Sequence, residues 1–414
     1  MKKNILVNGP VLSQSGYGEQ SRFALRALRT RENDFEIFIN PINWGQTGWV
    51  WEDSEFRQWM DERITTTQIL MSQKKLRPDI SLQITIPNEW QKMAPINIGY
   101  TAGIETNKVS PLWLQKGNEM DNIIVVSEHS KNVYQSTKGM MVNKNTNEKK
   151  GFSLTTPINS VGYPVRTHEP EPITNLELST DFNFLVVSQM GPRKNLENTV
   201  KWFVEEFIDQ EVGLVIKTNF KSNCYFDWEA VSEHYEVLLQ KYPQRKCKVY
   251  ILHGDLSDGQ MTWLYSHDKI KALVNIAHGE GFGLPMFEAA QNSLPVITVG
   301  WSGQLDFLHH DGKDYFSNVE YSIRPVQKQA VWDTVIDKDS MWAFADQGSY
   351  KMKLREMKKN WSEHKQIAEE LKTIILDKFE EQNMYAKFVD LICEKELIVD
   401  DDEIEKLFLE AASG

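Results

Sequence analysis

Cysteine is scarce in this chain, and no long hydrophobic run is present. The three cysteines, Cys224, Cys247 and Cys393, lie far apart in 414 residues and form no Cys-x-x-Cys pair, which argues against a disulfide framework or a zinc site. No window approaches the roughly 18 apolar residues of a membrane-spanning helix. Residues 2–10 contain only a short apolar run, typical of a first strand and not of a signal peptide. These absences predict a cytoplasmic protein.

Internal repeats are also absent, and short apolar runs alternate instead with helical patterns. The runs NILVN (4–8) and NIIVVS (122–127) in the first half are typical of buried strands, as are FNFLVVS (182–188) and PVITVG (295–300) in the second. With helices between such strands, the pattern predicts an α/β fold of two parallel sheets covered by helices on both faces. A stretch rich in proline and charge, residues 163–174, is the predicted linker between them.

The predicted organisation has three parts. Residues 1–165 form one Rossmann-like domain, residues 166–380 form a second, and residues 381–414 form a C-terminal helical segment. Residues 318–345 fit the alternation poorly and are predicted to be an insertion in the second domain.

The most informative stretch has the sequence GEGFGLPMFEAA. It places Glu280 and Glu288 on either side of a glycine-rich turn that leads into a helix. Gly281 and Gly283 let the backbone approach a ligand closely, and Pro285 suits the first helical position. The amides of a first helical turn favour an anion. A carboxylate on each side of an anion site suits a nucleotide-sugar, which has hydroxyls at both ends and phosphates between them.

The string EGFGLPxxEA, followed by PVITVGWSG (295–303), resembles retaining glycosyltransferases of the GT-B fold and is most similar to glycosyltransferase family 4. The resemblance implies two Rossmann-like domains facing each other across a cleft. The first would bind the acceptor and the second the nucleotide-sugar, with the C-terminal helix crossing back onto the first. A UDP-linked donor, no cofactor and no catalytic metal are expected, because such enzymes place cations and helix termini against the phosphates. No Asp-x-Asp pair follows a predicted strand in a suitable position.

The resemblance also implies roles for single residues. Glu280 corresponds to the glutamate that contacts the donor sugar, and Glu288 to the one that binds the ribose hydroxyls. Lys194 matches the phosphate-binding lysine of the family. The usual arginine position is occupied by Gln189, and whether the adjacent Arg193 replaces that arginine stays open. Further donor-binding candidates are Gly281, Phe282, Gly283, Leu284 and His278, the last of which either touches the sugar or braces the loop.

Two other loops are expected to face the donor. After the first strand, Gly16 and Gly18 permit close approach of the backbone to the diphosphate, and Ser21 or Glu19 can cap the helix that follows. The second loop corresponds to one that often binds the sugar or phosphates through backbone amides, and its candidates are Ser302, Gly303 and Gln304.

Candidates for the acceptor side come from the first half. Thr101 and Glu105 follow one predicted strand and His129 follows another, although a helix cap is an equal alternative for Glu105. Trp44 and Trp49 belong to a tryptophan-rich segment that either stacks on a sugar or a base, or packs a helix against the sheet.

The acceptor itself is left open by the sequence. The net charge of −12 divides into +3 for residues 1–165 and −15 for the remainder. A glycan or glycoconjugate is the leading acceptor. The basic first half and its tryptophans keep a second hypothesis open, in which a phage-encoded enzyme glycosylates hydroxymethylated pyrimidines in DNA. A third hypothesis, an inactive protein that only binds sugar nucleotides, rests on Gln189.

Overall fold

The computed structural model describes residues 2–45, 47–142 and 148–393. The first half contains a six-stranded parallel sheet with the strand order β2-β1-β3-β4-β5-β8. Its apolar runs form the strands because both faces are covered by helices, as expected for a parallel sheet. A separate antiparallel pair, β6–β7, lies beside it. The strands are β1 (Lys3–Gly9), β2 (Phe35–Pro41), β3 (Ile80–Ile84), β4 (Ile96–Thr101), β5 (Asn122–Val125), β6 (Gly139–Val142), β7 (Lys149–Phe152) and β8 (Ile158–Ser160).

The helices of the first half follow its strands. The first begins at Gly16, and its cap is Ser15, whose hydroxyl accepts from the Gly18 amide at 3.1 Å. The prediction that Ser21 or Glu19 caps this helix is therefore wrong, because both residues lie inside it. The helices are α1 (Gly16–Arg29), α2 (Glu55–Ser72), α3 (Pro111–Gly117) and α4 (Glu128–Ser136).

The second half repeats this architecture with the strand order β11-β10-β9-β12-β13-β16, all parallel. This is the order of a Rossmann sheet, in which ligands bind where the order reverses, at the carboxyl ends of the strands. The strands are β9 (Asn183–Val187), β10 (Gly213–Lys217), β11 (Lys248–Leu252), β12 (Ile270–Asn275), β13 (Val296–Val299), β14 (His309–His310), β15 (Lys313–Asp314) and β16 (Ser317–Val319). The helices are α5 (Leu196–Glu206), α6 (Tyr225–Leu239), α7 (Asp258–Ser266), α8 (Leu284–Gln291), α9 (Leu305–Leu308), α10 (Gln347–Lys359) and α11 (Trp361–Lys378).

The last described helix, α12 (Glu381–Cys393), returns to the first half and packs on α1. The Phe388 ring lies 5.1 Å from that of Phe23 and 5.0 Å from that of Tyr100. The predicted crossing of the C-terminal helix is therefore present. The remainder of the predicted C-terminal segment, residues 394–414, lies outside the described residues.

Residues 320–345, which we call the strap, make a second set of contacts between the two halves. They contain an antiparallel pair, β17 (Tyr321–Pro325) and β18 (Met341–Ala345). The predicted insertion began at residue 318, but the structure places Asn318 in the edge strand of the main sheet. Val335 is buried among first-half residues that include Trp90 and Trp113, and Lys108 pairs with Asp339 at 2.5 Å.

No helix among the described residues is long and apolar enough to span a membrane.

Candidate functional site

Four charged side chains meet at the carboxyl end of the second sheet. The buried Glu280 carboxylate accepts from Lys194 Nζ at 2.6 and 2.8 Å and from an Arg193 guanidinium nitrogen at 2.8 Å. Arg193 also reaches Glu105 of the first half at 3.3 Å. Asn275 at the end of β12 donates to Glu280 at 3.1 Å. We call Glu105, Arg193, Lys194 and Glu280 the charged quartet; it joins both halves of the molecule.

Local backbone geometry explains how two adjacent cations reach one carboxylate. Residues Pro192–Lys194 form a short 3-10 turn, and Asn195 takes a left-handed conformation with φ of 54°. The His278 amide donates to Arg193 O at 2.9 Å, which holds this turn against the backbone that follows β12. Arg193 and Lys194 therefore converge, which their adjacency in sequence did not indicate.

The electrostatics of the quartet follow from burial and pairing. Burial by itself would raise the pKa of Glu280, but Lys194 and Arg193 lower it to about 2. Burial, together with the neighbouring Arg193, lowers the pKa of Lys194. Two cations therefore stand against two carboxylates, Glu280 and Glu105. The charges balance, and an arriving anion must compete with the carboxylates for the cations.

The loop between Glu280 and α8 lies against the first half of the molecule. A Cβ atom on Gly281 would lie 2.2 Å from Ala102 O, so only glycine fits there. Gly283 has φ of 96° and caps α8, which begins at Leu284, one residue before the predicted Pro285. The amides of Met286 and Phe287 donate to Gly283 O at 2.9 and 3.1 Å, and Pro285 has no N–H, so the Leu284 amide is the donor that the first turn leaves for an anion. Phe282 points into the aromatic core with Phe287 and Phe307, so only its backbone can face a ligand.

Glu288 occupies a different environment, one turn into α8. The Tyr265 hydroxyl donates to its carboxylate at 2.7 Å. Burial raises the pKa of Glu288 to about 7, and the negative charges of Asp258 and Glu19 act in the same direction. Glu280 is thus held ionised, whereas Glu288 is half protonated near neutral pH. The two glutamates of the motif therefore differ in charge near neutral pH, which suits them to different roles.

Part of the chain is similar in sequence to a curated protein. Over 118 residues, the chain is 33% identical to the serotype-specific mannosyltransferase WbdA of Escherichia coli. The match covers 28% of this chain and 13% of the relative, so the chain corresponds to only a small part of the curated relatives it matches. No protein-family model matches the chain.

Solved structures cover nearly the whole chain. Sucrose-phosphate synthase from Thermosynechococcus elongatus aligns with a TM-score of 0.62 at 12% identity, over 96% of this chain and 100% of that one. A glycosyltransferase from Rickettsia africae aligns with a TM-score of 0.60 at 11% identity, over 96% and 100%. The chain has the GT-B fold. The fold class predicted from the sequence is confirmed, and so is the resemblance to GT-B glycosyltransferases.

The strap fixes His278 within this GT-B cleft. Nδ1 of His278 donates to Ala343 O at 2.6 Å, and Nε2 accepts from Gln327 at 2.8 Å. The imidazole stacks on Trp342, with ring centroids 5.0 Å apart. Burial lowers its pKa, so the ring stays neutral. Both nitrogens are thus engaged by the protein, and His278 braces the loop that carries Glu280.

The loop after β13 also holds the backbone of Glu280 in place. Ser302 adopts φ of 77°, and its hydroxyl accepts from the Glu280 amide at 2.8 Å while donating to Gln304 at 2.9 Å. The Gly303 amide donates to Glu280 O at 3.0 Å. Ser302 and Gln304 are buried, so their side chains hold the Glu280 loop in place.

Gly16 and Gly18, predicted to lie in the loop after β1, lie in the first turn of α1, and one of them is under tight constraint. A Cβ atom on Gly18 would lie 1.9 Å from Ser13 O, whereas one on Gly16 would meet no atom within 4 Å. Gly18 therefore packs the start of α1 against its own loop. Gly16 lies in open space and leaves the backbone accessible.

Three of the acceptor-side candidates, Thr101, Trp44 and Glu105, contact other residues of the site, whereas Trp49 does not. Thr101 Oγ1 lies 2.7 Å from the Tyr17 hydroxyl, and the Tyr17 ring lies 4.4 Å from that of Trp44. Glu105 belongs to the charged quartet. Trp49, in contrast, is 63% exposed and its strand-like bridge is to Ser13.

His129 is an unusual member of this side. Its ring lies 5.2 Å from Trp301 of the second half, and its buried Nε2 has no partner among the described residues. Burial lowers its pKa to about 4, so it is neutral at physiological pH. Because Nε2 is itself enclosed, a ligand hydroxyl would reach this neutral, unpaired nitrogen only if the two halves moved apart.

Several residues of this region were missed by the sequence reasoning. Tyr17, Tyr265, Asn275 and Gln327 each touch a predicted residue, yet none belongs to a recognisable motif. Gln189, which the resemblance placed where an arginine is usual, donates to Phe220 O at 2.7 Å and ties two loops together.

Proposed function

We propose that this protein is a retaining glycosyltransferase that moves a sugar from a UDP-linked donor to a hydroxyl of a glycan or glycoconjugate. The observation that carries the proposal is the charged quartet. Two cations converge beside the start of α8, at the edge of the sheet where GT-B folds bind ligands. The partial match to a mannosyltransferase supports sugar transfer as the reaction.

In this proposal the donor diphosphate displaces Glu280 from Lys194. Arg193 and Lys194 neutralise the phosphates together with the Leu284 amide at the start of α8, and the freed Glu280 carboxylate accepts hydroxyls of the sugar. Glu288 accepts from the ribose hydroxyls. Arg193 takes the place of the family arginine that Gln189 replaces, because its guanidinium already lies 2.8 Å from Glu280. Charge stabilisation of this kind acts on the leaving group and needs no catalytic metal or cofactor.

The proposed chemistry assigns the proton to the leaving group. The acceptor oxygen bonds to the anomeric carbon on the face from which the diphosphate departs, so the configuration is retained. The acceptor proton passes to a phosphate oxygen of the departing nucleotide, and no protein nucleophile is involved. The protein positions both substrates and stabilises the diphosphate.

The acceptor side of the proposal rests on the first half. Tyr17 and Trp44 offer adjoining ring faces, Glu105 a carboxylate, and His129 an unpaired nitrogen. Such a mixture of rings and hydroxyl-binding groups suits a sugar-containing acceptor. No observation in the structure favours DNA over a glycan.

A panel of nucleotide-sugars tests the reaction class. The protein is titrated calorimetrically with UDP-glucose, UDP-galactose, UDP-N-acetylglucosamine and GDP-mannose, and the donor that binds is then incubated with simple glycosides in the presence and absence of EDTA. Transfer with retained anomeric configuration, unchanged by EDTA, is expected. Binding without hydrolysis or transfer would identify the inactive binding protein instead, and a product of inverted configuration would contradict the mechanism.

A further inference from the structure

A second cavity is lined by Asn195 and His278 but by no member of the charged quartet. Its volume is about 550 Å³, within the range of small-molecule sites. Three elements enclose it: the first turns of α5, the strap and the start of α10. Asn195 directly follows Lys194, and His278 precedes the loop of Glu280. The cavity is therefore next to the proposed donor site along the chain, although it is lined by other side chains.

Aromatic side chains supply part of the cavity wall. Trp202 is held by Tyr350, with ring centroids 5.9 Å apart, and Phe344 is covered on one side by Arg324 at 4.2 Å. Tyr321 is 37% exposed and fixed by its hydroxyl, which donates to Gly300 O at 2.8 Å. Trp202 and Tyr321, anchored in this way, present apolar surface at a fixed place without losing further side-chain freedom on binding, whereas Phe344 also contacts the His278 ring at 4.4 Å.

Polar groups in the same cavity are left without protein partners. Asn198 donates to Asn195 at 2.8 Å, which leaves its own carbonyl oxygen as an acceptor. No described residue pairs with the Glu320 carboxylate or the Ser322 hydroxyl. Asn198, Glu320 and Ser322 all line the cavity, and Glu320 and Ser322 are exposed to solvent. They are the groups that sugar hydroxyls bind.

The charge of the cavity selects among ligand classes. Glu320 and Asp346 contribute two carboxylates and Arg324 one cation, while His278 is neutral. A net negative wall disfavours phosphates and other anions. Its hydrogen-bonding groups disfavour a purely apolar ligand, which would leave them unpaired.

We propose that this cavity is a second saccharide site, which binds a neutral sugar unit independently of the nucleotide-sugar. Anchored rings face the C–H side of the sugar, and Asn198, Glu320 and Ser322 bind its hydroxyls. Sugar binding in this cavity requires no transfer reaction. The cavity can therefore fail to bind sugar in an active glycosyltransferase, and it can bind sugar in a protein that transfers none.

Ligand-observed NMR on the full chain tests for sugar binding, with UDP and GDP present in excess to occupy the nucleotide site; the cavity variants below separate the cavity from the acceptor side of the cleft. The probes are methyl α-mannoside, methyl α-glucoside, an α-linked mannotriose and inorganic phosphate. At least one sugar probe is expected to bind with the nucleotides present, and phosphate is expected not to bind. Failure of all sugar probes, competition by the nucleotides, or binding of phosphate alone would overturn the proposal.

Variants locate the binding. Glu320→Gln is expected to weaken the sugar about tenfold, because it removes hydrogen bonds to a charged group. Ser322→Trp, which fills the cavity, is expected to abolish binding. The matched control Glu363→Gln changes another exposed glutamate, on α11, and is expected to bind as the wild type does. Unchanged binding in both cavity variants, with melting temperatures near that of the wild type, would place the sugar elsewhere.

Discussion

At the residue scale, the two glutamates of one motif differ because their neighbours differ. Glu280 faces Lys194 and Arg193 and is held as an anion. The Glu288 carboxylate accepts from the Tyr265 hydroxyl and lies near the charges of Asp258 and Glu19. Burial raises the pKa of both carboxyls, but Lys194 and Arg193 bond directly to Glu280 and outweigh it, whereas Arg166 offsets the burial of Glu288 only in part. A carboxylate that is ionised and paired can release cations to phosphates, whereas Glu288 is suited to binding hydroxyls.

Glu288 is expected to make stability depend on pH. Since its pKa is raised to about 7, its contribution to stability is full below the unfolded pKa and is lost as pH rises through the folded pKa. Glu288→Gln removes this titration. Between pH 5 and pH 8, the variant should gain on the order of 1–2 kcal/mol in unfolding free energy relative to the wild type.

Urea denaturation at the two pH values measures this difference. The matched control is Glu197→Gln, which changes an exposed glutamate in the first turn of α5 and should parallel the wild type. If Glu288→Gln also parallels the wild type, Glu288 is not held protonated by burial.

At the element scale, the strap connects the site to the first half. Its β18 holds His278 through Ala343, and its middle places Val335 among Trp90 and Trp113. Asn88 also donates to Thr334 at 2.7 Å. The loop of Glu280 is thereby braced from outside the Rossmann sheet. Movement of the strap would move the wall of the cleft.

Truncating the anchor of the strap should reduce both stability and activity. Val335→Ala leaves a cavity among the tryptophans and is expected to cost about 1–2 kcal/mol of unfolding free energy. Transfer should fall because the His278 loop is less well fixed. Val331→Ala, an exposed valine of the same strap, is the control and should change neither. Equal effects of the two variants, in denaturation and in rate, would show that the strap is not anchored at Val335.

The motif loop could be predicted from the sequence, whereas the strap could not. Gly281, Gly283 and Pro285 restrict the backbone locally, so a turn followed by a helix could be predicted without knowledge of the remaining fold. The strap is defined by contacts between residues more than 200 positions apart, such as Asn88 and Thr334. Its sequence has neither helical nor strand periodicity over most of its length, so only its departure from the alternation was visible.

At the scale of the whole molecule, the two halves are joined by packing as well as by charge. Phe379, at the end of α11, lies 5.2 Å from Phe287 in ring centroids, and α12 then packs on α1 of the first half. The Glu128 amide, at the start of α4, donates to Asp306 of the second half at 2.8 Å. The C-terminal helix therefore stabilises the arrangement of both halves around the cleft.

Loss of this packing should destabilise the whole chain. Phe388→Ala removes a fully buried ring from contact with Phe23 and Tyr100, and is expected to cost about 3–5 kcal/mol of unfolding free energy. Leu376→Ala, at an exposed position on α11, is the control and should lie close to the wild type. Thermal and urea denaturation give the comparison, and a small effect of Phe388→Ala would show that α12 is not part of the core.

The alternation of apolar runs predicted both sheets, because parallel strands buried on both faces are nearly continuous in apolar residues. The resemblance predicted the returning helix. What neither could predict was the convergence of Arg193 and Lys194 on Glu280. That convergence depends on the 3-10 turn and on the left-handed Asn195, and each is imposed by the surrounding structure.

The central claim, that Arg193 and Lys194 form the binding site for the donor diphosphate, is tested most directly by calorimetric titration with UDP. Lys194→Ala should weaken UDP binding by at least about tenfold, since a charge-assisted contact to phosphate is lost. Lys201→Ala removes an exposed lysine from α5 and should leave UDP binding as it is in the wild type. Equal affinity for UDP in all three proteins would contradict the claim.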